Sequence, residues 1–378
     1  MNRQHAITFF SLVIWLSAYS QHTVQFSVSL LHPGNFTDSS LFIAGSFNGW
    51  NPADKNYQLK RAGNGDCYSV LKLDDGQYEF KITRGSWDKV ECREGGANIP
   101  NRILKVSSDT FVRIVVEGWA DKFLRKKRVS TARSGVHILD TAFLIPQLNR
   151  SRRVWLYLPP GYANSSKRFP VLYMQDGQNV FDDSTSFAGE WAVDETLDSL
   201  SGRVPGLIVV AVDNGGLKRL NEYSPYDMEK YGRGEGDLYI DFLVKTLKPF
   251  IDQNYRTLPT KENTFIVGSS MGGLISMYAV LKYPDIFGGA GIFSPAFWIA
   301  PEILEAVNQN GGRVNSRLYF YCGGKEGETM EPGMEKAFDQ MRKLSGSRMI
   351  SWVRPDATHT ESFWREEFPL FYLWLMEK

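Results

Sequence analysis

Residues 264–281 read Thr264-Phe265-Ile266-Val267-Gly268-Ser269-Ser270-Met271-Gly272-Gly273-Leu274-Ile275-Ser276-Met277-Tyr278-Ala279-Val280-Leu281. The first four residues, Thr264 and then three apolar ones without alternation, read as a strand buried on both faces. The segment from Gly273 onward has the composition and spacing of a buried helix. Between them, Gly268-Ser269-Ser270-Met271-Gly272 fits the G-x-S-x-G turn that lifts a nucleophilic serine out of a strand-to-helix corner. In this frame Ser270 is the nucleophile and Ser269 is not. Glycine is expected on either side because a side chain there would meet neighbouring backbone. The start of the following helix adds partial positive charge where an oxyanion would form. The plainer alternative is a glycine-rich turn that only packs the helix on its sheet.

Strands and helices alternate around this corner. Val154 to Leu158, Val171 to Met174, Leu207 to Val212, Ala290 to Phe293, Leu318 to Tyr321 and Ile350 to Val353 read as strands. Leu238 to Ile251 and Glu361 to Met376 read as helices. This order predicts a mostly parallel sheet covered on both faces, an α/β-hydrolase fold, over residues 136–378.

A serine hydroxyl needs a base. Of five histidines, His359 alone follows Ser270, as the chain order Ser, acid, His requires. It lies in the loop Asp356-Ala357-Thr358-His359-Thr360. The acid should follow a strand between the two. Glu326 is the first carboxylate past Leu318–Cys322, in Gly323-Gly324-Lys325-Glu326-Gly327-Glu328, with Glu328 as the alternative. The oxyanion hole would use the backbone N–H of Met271 and that of Gln178, in the turn Asp176-Gly177-Gln178. Asp176, Trp191, Tyr223 and Trp298 fall in loops that could line a substrate pocket; the aromatics could equally be core.

The chain has 378 residues, enough for two domains. The first twenty read as an export signal, with Arg3, an apolar run from Ala6 to Leu16, and small residues at Ala18 and Ser20. That predicts a secreted or periplasmic protein. Residues 21–118 show short alternating strands with turns, among them Asp75-Gly76 read as a hairpin turn, and suggest a small immunoglobulin-like β-sandwich. Residues 119–135 carry Lys122, Arg125, Lys126, Lys127, Arg128 and Arg133 and read as a solvated basic linker. There are three cysteines. An oxidising compartment would permit a Cys67–Cys92 bridge, without showing that the two meet. Cys322 reads as a core thiol. The formal net charge is +1, and no basic stripe points to nucleic acid. No segment is long and apolar enough to span a membrane. No metal-ligand spacing is present, and no cofactor is implied.

Residues 140–378 resemble the putative-esterase family, which includes esterase D, siderophore esterases, feruloyl and acetylxylan esterases, and mycolyltransferases. Pro170 to Gln178, Glu222-Tyr223-Ser224-Pro225, Gly268 to Gly273, Phe293 to Trp298 and Gly323 to Glu326 carry the likeness. It implies Ser270, Glu326 and His359 as a triad. The first domain resembles starch-binding modules through Gly45-Ser46-Phe47-Asn48-Gly49-Trp50, Tyr78 to Lys81 and Asn101-Arg102. Two tryptophans commonly stack on sugar in that pattern. Trp50 matches the first; Cys92 stands at the second, and Trp87 is near but out of frame.

These readings imply an exported serine carboxylesterase acting on acylated carbohydrate. The alternatives are a siderophore trilactone esterase, an acyltransferase, and a carbohydrate-binding protein with an inactive hydrolase domain.

Overall fold

The computed structural model describes residues 21–31, 40–63, 65–123, 128–229 and 231–377. The expected export signal lies outside them. The chain divides into two compact units between residues 125 and 126.

Period-two alternation builds the first unit. In β4 (Cys67–Leu73) positions 67, 69, 71 and 73 are buried and those between are exposed, so one face meets a core and the other water. It pairs with β1 (His22–Leu30) and β3 (Lys60–Arg61), and β8 (Thr110–Val116) lies parallel to β1. A second sheet holds β2 (Phe42–Gly45), β5 (Gly76–Thr83) and β7 (Arg102–Val106). Val24, Phe26, Leu71 and Ile114 of the first sheet meet Ile43, Phe80, Ile82 and Leu104 of the second in one core. Two-residue strands β6 (Glu91–Cys92) and β9 (Gly118–Trp119) pair with each other. Glu91 is buried, but Arg102 binds both its oxygens and the Ile82 N–H donates to it at 2.8 Å, which offsets the desolvation of its charge.

Two expectations need correction here. Asp75-Gly76 is not a hairpin turn: the strands it joins lie in different sheets, because each buries its apolar face from the opposite side of the core. Trp119 is no linker residue but a core side chain of the first unit, 1% exposed. Cys67 and Cys92 are buried and free, as is Cys322. Burial pushes the Cys322 thiol up to about 12, so it carries almost no thiolate at neutral pH.

The second unit begins with a segment that is fastened rather than solvated. Ser130 Oγ donates to Asp182 at 2.7 Å, Arg133 N to Asp194 at 2.7 Å, and Arg128 to the Asp183 carbonyl at 2.9 Å. An antiparallel pair follows, β10 (Val136–Ile145) and β11 (Arg150–Tyr157). Then come β12 (Val171–Met174), β13 (Ile208–Val212), β14 (Thr264–Ser269), β15 (Gly289–Phe293), β16 (Arg317–Gly323) and β17 (Arg348–Arg354). The sheet order is β10-β11-β13-β12-β14-β15-β16-β17, and only β11 runs against the rest.

Every residue of β12, β13 and β14 is buried. Successive side chains go to opposite faces. Ile266, Val210 and Tyr173 join one core with Leu274 and Ile275 of α5 (Met271–Lys282). Phe265, Val267, Val209 and Leu172 join the other with Phe368 and Phe371 of α8 (Glu361–Met376). Two covered faces favour apolar residues at successive positions, which is why the middles of these strands show no alternation. Among the described residues, no helix is long and apolar enough to cross a membrane.

Candidate active site

Ser270 stands between the last residue of β14 and the first of α5, with φ 59° and ψ −121°. A non-glycine residue in this region is strained, and the surroundings must hold it there. They do so through the backbone: Ser270 N donates to Phe293 O at 2.9 Å, and Ala296 N donates to Ser270 O at 3.1 Å. The corner closes so tightly that a Cβ on Gly268 would lie 2.8 Å from the backbone of Gly272. On Gly273 it would lie 2.7 Å from Phe293 O. The two glycines are therefore steric necessities of the turn. Met271 is the first residue of α5, so the helix supplies its N–H with no internal partner.

His359 and Glu326 follow β17 and β16, at the same carboxyl edge of the sheet as Ser270. His359 Nδ1 lies 2.9 Å from Glu326 Oε2. The Glu326 side chain is fully buried, and its other oxygen accepts from Gly323 N at 2.7 Å and Ser294 Oγ at 2.8 Å. Trp364 Nε1 donates in turn to Ser294 Oγ at 2.8 Å. The Trp364 ring meets the His359 ring edge-on, with centroids 5.0 Å apart. A carboxylate held this way orients the imidazole with Nδ1 as donor and leaves Nε2 as the basic nitrogen.

The turn after β12 faces the same edge. Asp176 has φ 56°, and residues 177–179 form one turn of 3-10 helix. A Cβ on Gly177 would sit 2.8 Å from the Val212 backbone, so this turn is pressed against the end of β13. The Gln178 side chain accepts from Asn214 N at 3.2 Å, and its carbonyl accepts from Thr185 Oγ1 at 2.8 Å. These bonds fix the turn while using neither the Gln178 N–H nor the Met271 N–H.

Three of the four expected pocket residues do other work. Asp176 is buried and takes Arg219 Nε at 2.6 Å and Nη2 at 2.8 Å. It braces the turn from within the protein. Tyr223 is fully buried and its hydroxyl accepts from Asp176 N at 3.1 Å. Trp191 is 4% exposed and packs on Phe293, Trp364 and Phe368. These large rings bury apolar area beneath the site. Trp298 remains 48% exposed, three residues beyond Pro295 on the loop that binds the Ser270 carbonyl through Ala296.

Several supporting residues escape sequence reasoning. Ser294 (φ 42°) and Trp364 hold Glu326, Arg219 holds Asp176, and Asn179 Nδ2 donates to Glu361 Oε1 at 3.3 Å. The Pro295 that follows a buried strand is the one local hint of a special corner at Ser294. A cavity of about 1190 Å³ lies at the opposite edge of the sheet, lined by Phe169, Leu207, Phe265 and Arg317. None of the candidate residues borders it. In the first unit, Trp50 (φ 60°) and Trp87 come together, with ring centroids 6.1 Å apart at 44°. Cys92, at the position where the starch-binding pattern has tryptophan, is buried.

The family described as Putative esterase matches residues 145–372. An uncharacterized protein of Bacillus subtilis, YbbA, is 27% identical over 247 residues, covering 60% of this chain and 94% of its own. An endo-1,4-beta-xylanase/feruloyl esterase of Xylanibacter ruminicola is 27% identical over 235 residues, covering 61% of this chain and 30% of that protein. Among solved structures, an IroE-like serine hydrolase from Shewanella oneidensis superposes with a TM-score of 0.51 at 22% identity, over 62% of this chain and 78% of its own.

Proposed function

This chain belongs to the Putative esterase family and so hydrolyses carboxylic esters, and we propose that it does so through an acyl-enzyme on Ser270, with acylated carbohydrate as substrate. Ser270 Oγ attacks the ester carbonyl while His359 Nε2 takes its proton. The N–H groups of Met271 and Gln178 hold the oxyanion. The tetrahedral intermediate collapses, and the alcohol leaves with the proton from His359. Water then attacks the acyl carbon, again giving its proton to His359, and the acid departs as Ser270 recovers its hydrogen. Glu326 stabilises the imidazolium at both stages without exchanging protons itself.

The observation that carries this reading is the 2.9 Å contact between His359 and a buried, doubly hydrogen-bonded Glu326, at the sheet edge where a strained serine opens a helix. The substrate rests on other support. The Xylanibacter relative bears the name of a feruloyl esterase joined to a xylanase. The paired Trp50 and Trp87 offer two part-exposed rings to a sugar, and export through residues 1–20 would bring the enzyme to polysaccharide. The test compares p-nitrophenyl acetate and acetylated or feruloylated xylo-oligosaccharide hydrolysis by the wild type and Ser270→Ala. Loss of both in the variant supports the reading. Retained activity overturns the nucleophile, and cleavage of the aryl ester alone overturns the substrate.

A further inference from the structure

Four charged groups meet around the mouth of this site, and three of them are already balanced or sealed. Asp176 and Arg219 neutralise each other in a two-point ion pair. Glu326 is buried beneath His359 and spends its oxygens on Ser294, Gly323 and the imidazole. Glu361 differs. It opens α8 two residues after His359, and its carboxylate takes the neutral side-chain amide of Asn179, at 3.3 Å, and its own backbone N–H. No cation among the described residues forms an ion pair with it. Asn179 is the neighbour of Gln178 and is itself tied down, its Oδ1 accepting from Phe187 N at 3.0 Å and its carbonyl from Trp191 N at 2.8 Å. The carboxylate is thereby held between the histidine loop and the oxyanion turn. Burial pushes the Glu361 carboxyl up and Asp176 adds to this, while its own N–H, His359 and Arg219 favour the charged form.

We infer that Glu361 is a specificity-determining residue, whose carboxylate accepts a hydroxyl of the alcohol half of the ester and turns away esters bearing negative charge. The inference rests on the Ser270 reading and deepens it. A carboxylate bonded only to neutral donors can take a further charge-assisted hydrogen bond from a sugar hydroxyl. The same charge repels an anion in the partly dehydrated site, where Coulomb interactions are stronger than in water. A neutral acylated polyol therefore fits this mouth. A ferric catecholate trilactone, which carries net negative charge, does not, so the inference also separates the two substrate classes raised by the sequence.

The test uses two acetate esters that differ only in charge on the alcohol half, 4-acetoxybenzamide and 4-acetoxybenzoate, each corrected for its hydroxide-catalysed rate. The wild type should favour the neutral amide by about tenfold in kcat/KM, a modest value for one partly screened like charge. Glu361→Gln should collapse that preference to within about twofold, while Glu361→Asp, which keeps the charge, should retain it. Raising salt should narrow the preference in the wild type, a readout that needs no variant to fold. An unchanged ratio in Glu361→Gln, or a wild-type ratio indifferent to salt, overturns the inference. If Ser270→Ala is inactive on both esters in that case, the hydrolase reading survives it. If Ser270→Ala stays active on both, the reading and the inference fall together.

Discussion

Ser294 Oγ donates to Glu326 Oε1 over 2.8 Å while accepting from Trp364 Nε1 at the same distance. One hydroxyl thus links the acid of the proposed triad to the helix that follows its histidine. Ser294→Ala removes a donor to a buried carboxylate and strands the indole N–H. We expect kcat to fall by about tenfold or more with KM nearly unchanged, as for other losses of a group that orients a catalytic residue. Ser294→Thr should recover part of the loss, and steady-state kinetics on one soluble ester would read both.

Replacing Glu326 should cost less than replacing His359. The acid orients the ring and stabilises its charge, whereas the histidine moves the proton. Glu326→Ala is expected to lose about two to four orders of magnitude in kcat, and His359→Ala more, by analogy with the unequal triad contributions measured in serine proteases. Equal activity of Glu326→Ala and the wild type would move the acid to Glu328.

Arg219 neutralises Asp176 directly beneath the proposed oxyanion turn, and the Asp176 side chain is only 10% exposed. Removing one partner of such a pair leaves the other charge uncompensated. Arg219→Leu should lower stability by about 3–5 kcal/mol. Arg219→Leu combined with Asp176→Asn should recover much of that, because no buried charge is then left alone. Urea unfolding of the three variants would measure the coupling.

Asp194, in α1 (Val193–Ser199), is fully buried and accepts from Arg133 N at 2.7 Å, while its carboxyl also meets that of Glu195. Burial, with Glu195 beside it, pushes its carboxyl up to about 8. The folded chain therefore holds a proton that the unfolded chain releases near pH 4, and the stability tied to it is lost as pH rises from about 4 to about 8. The wild type should melt at lower temperature at pH 8.5 than at pH 5.5. Asp194→Asn, which keeps the acceptor for Arg133, should flatten that slope and stabilise the alkaline state by on the order of 1–3 kcal/mol. A melting temperature that falls equally in both proteins would show that another group titrates.

Much of the site was legible because its parts are local. The turn at Ser270 is a steric problem solved within five residues. α8 spans Glu361–Met376 as its spacing predicts. Elements whose burial depends on distant partners were harder to read. β10 is an edge strand with one buried residue in ten, so no apolar alternation marks it. α7 (Met330–Leu344) buries a thin line of Met330, Met334, Ala337 and Met341, faint beside its charged faces. The hairpin expected at Asp75-Gly76 failed for a related reason: a turn dipeptide shows where the chain bends, not which sheet the next strand joins.

Chain order and residue type alone determined the elbow, the choice of His359 among five histidines, and Glu326 as the nearest acid after a buried strand. Each of these follows from a short covalent stretch or from counting. Only the tertiary structure decided what the aromatic and charged loop residues do. Trp191 and Tyr223 look the same in sequence whether they line a pocket or fill a core, because burial is set by other elements, α8 for Trp191 and Tyr239 for Tyr223. Asp176 became a brace only when Arg219 reached it from the short helix Arg219–Glu222 beyond β13. Among the described residues Glu361 forms no ion pair, and Asn179, next to the proposed oxyanion turn, meets it with a neutral amide.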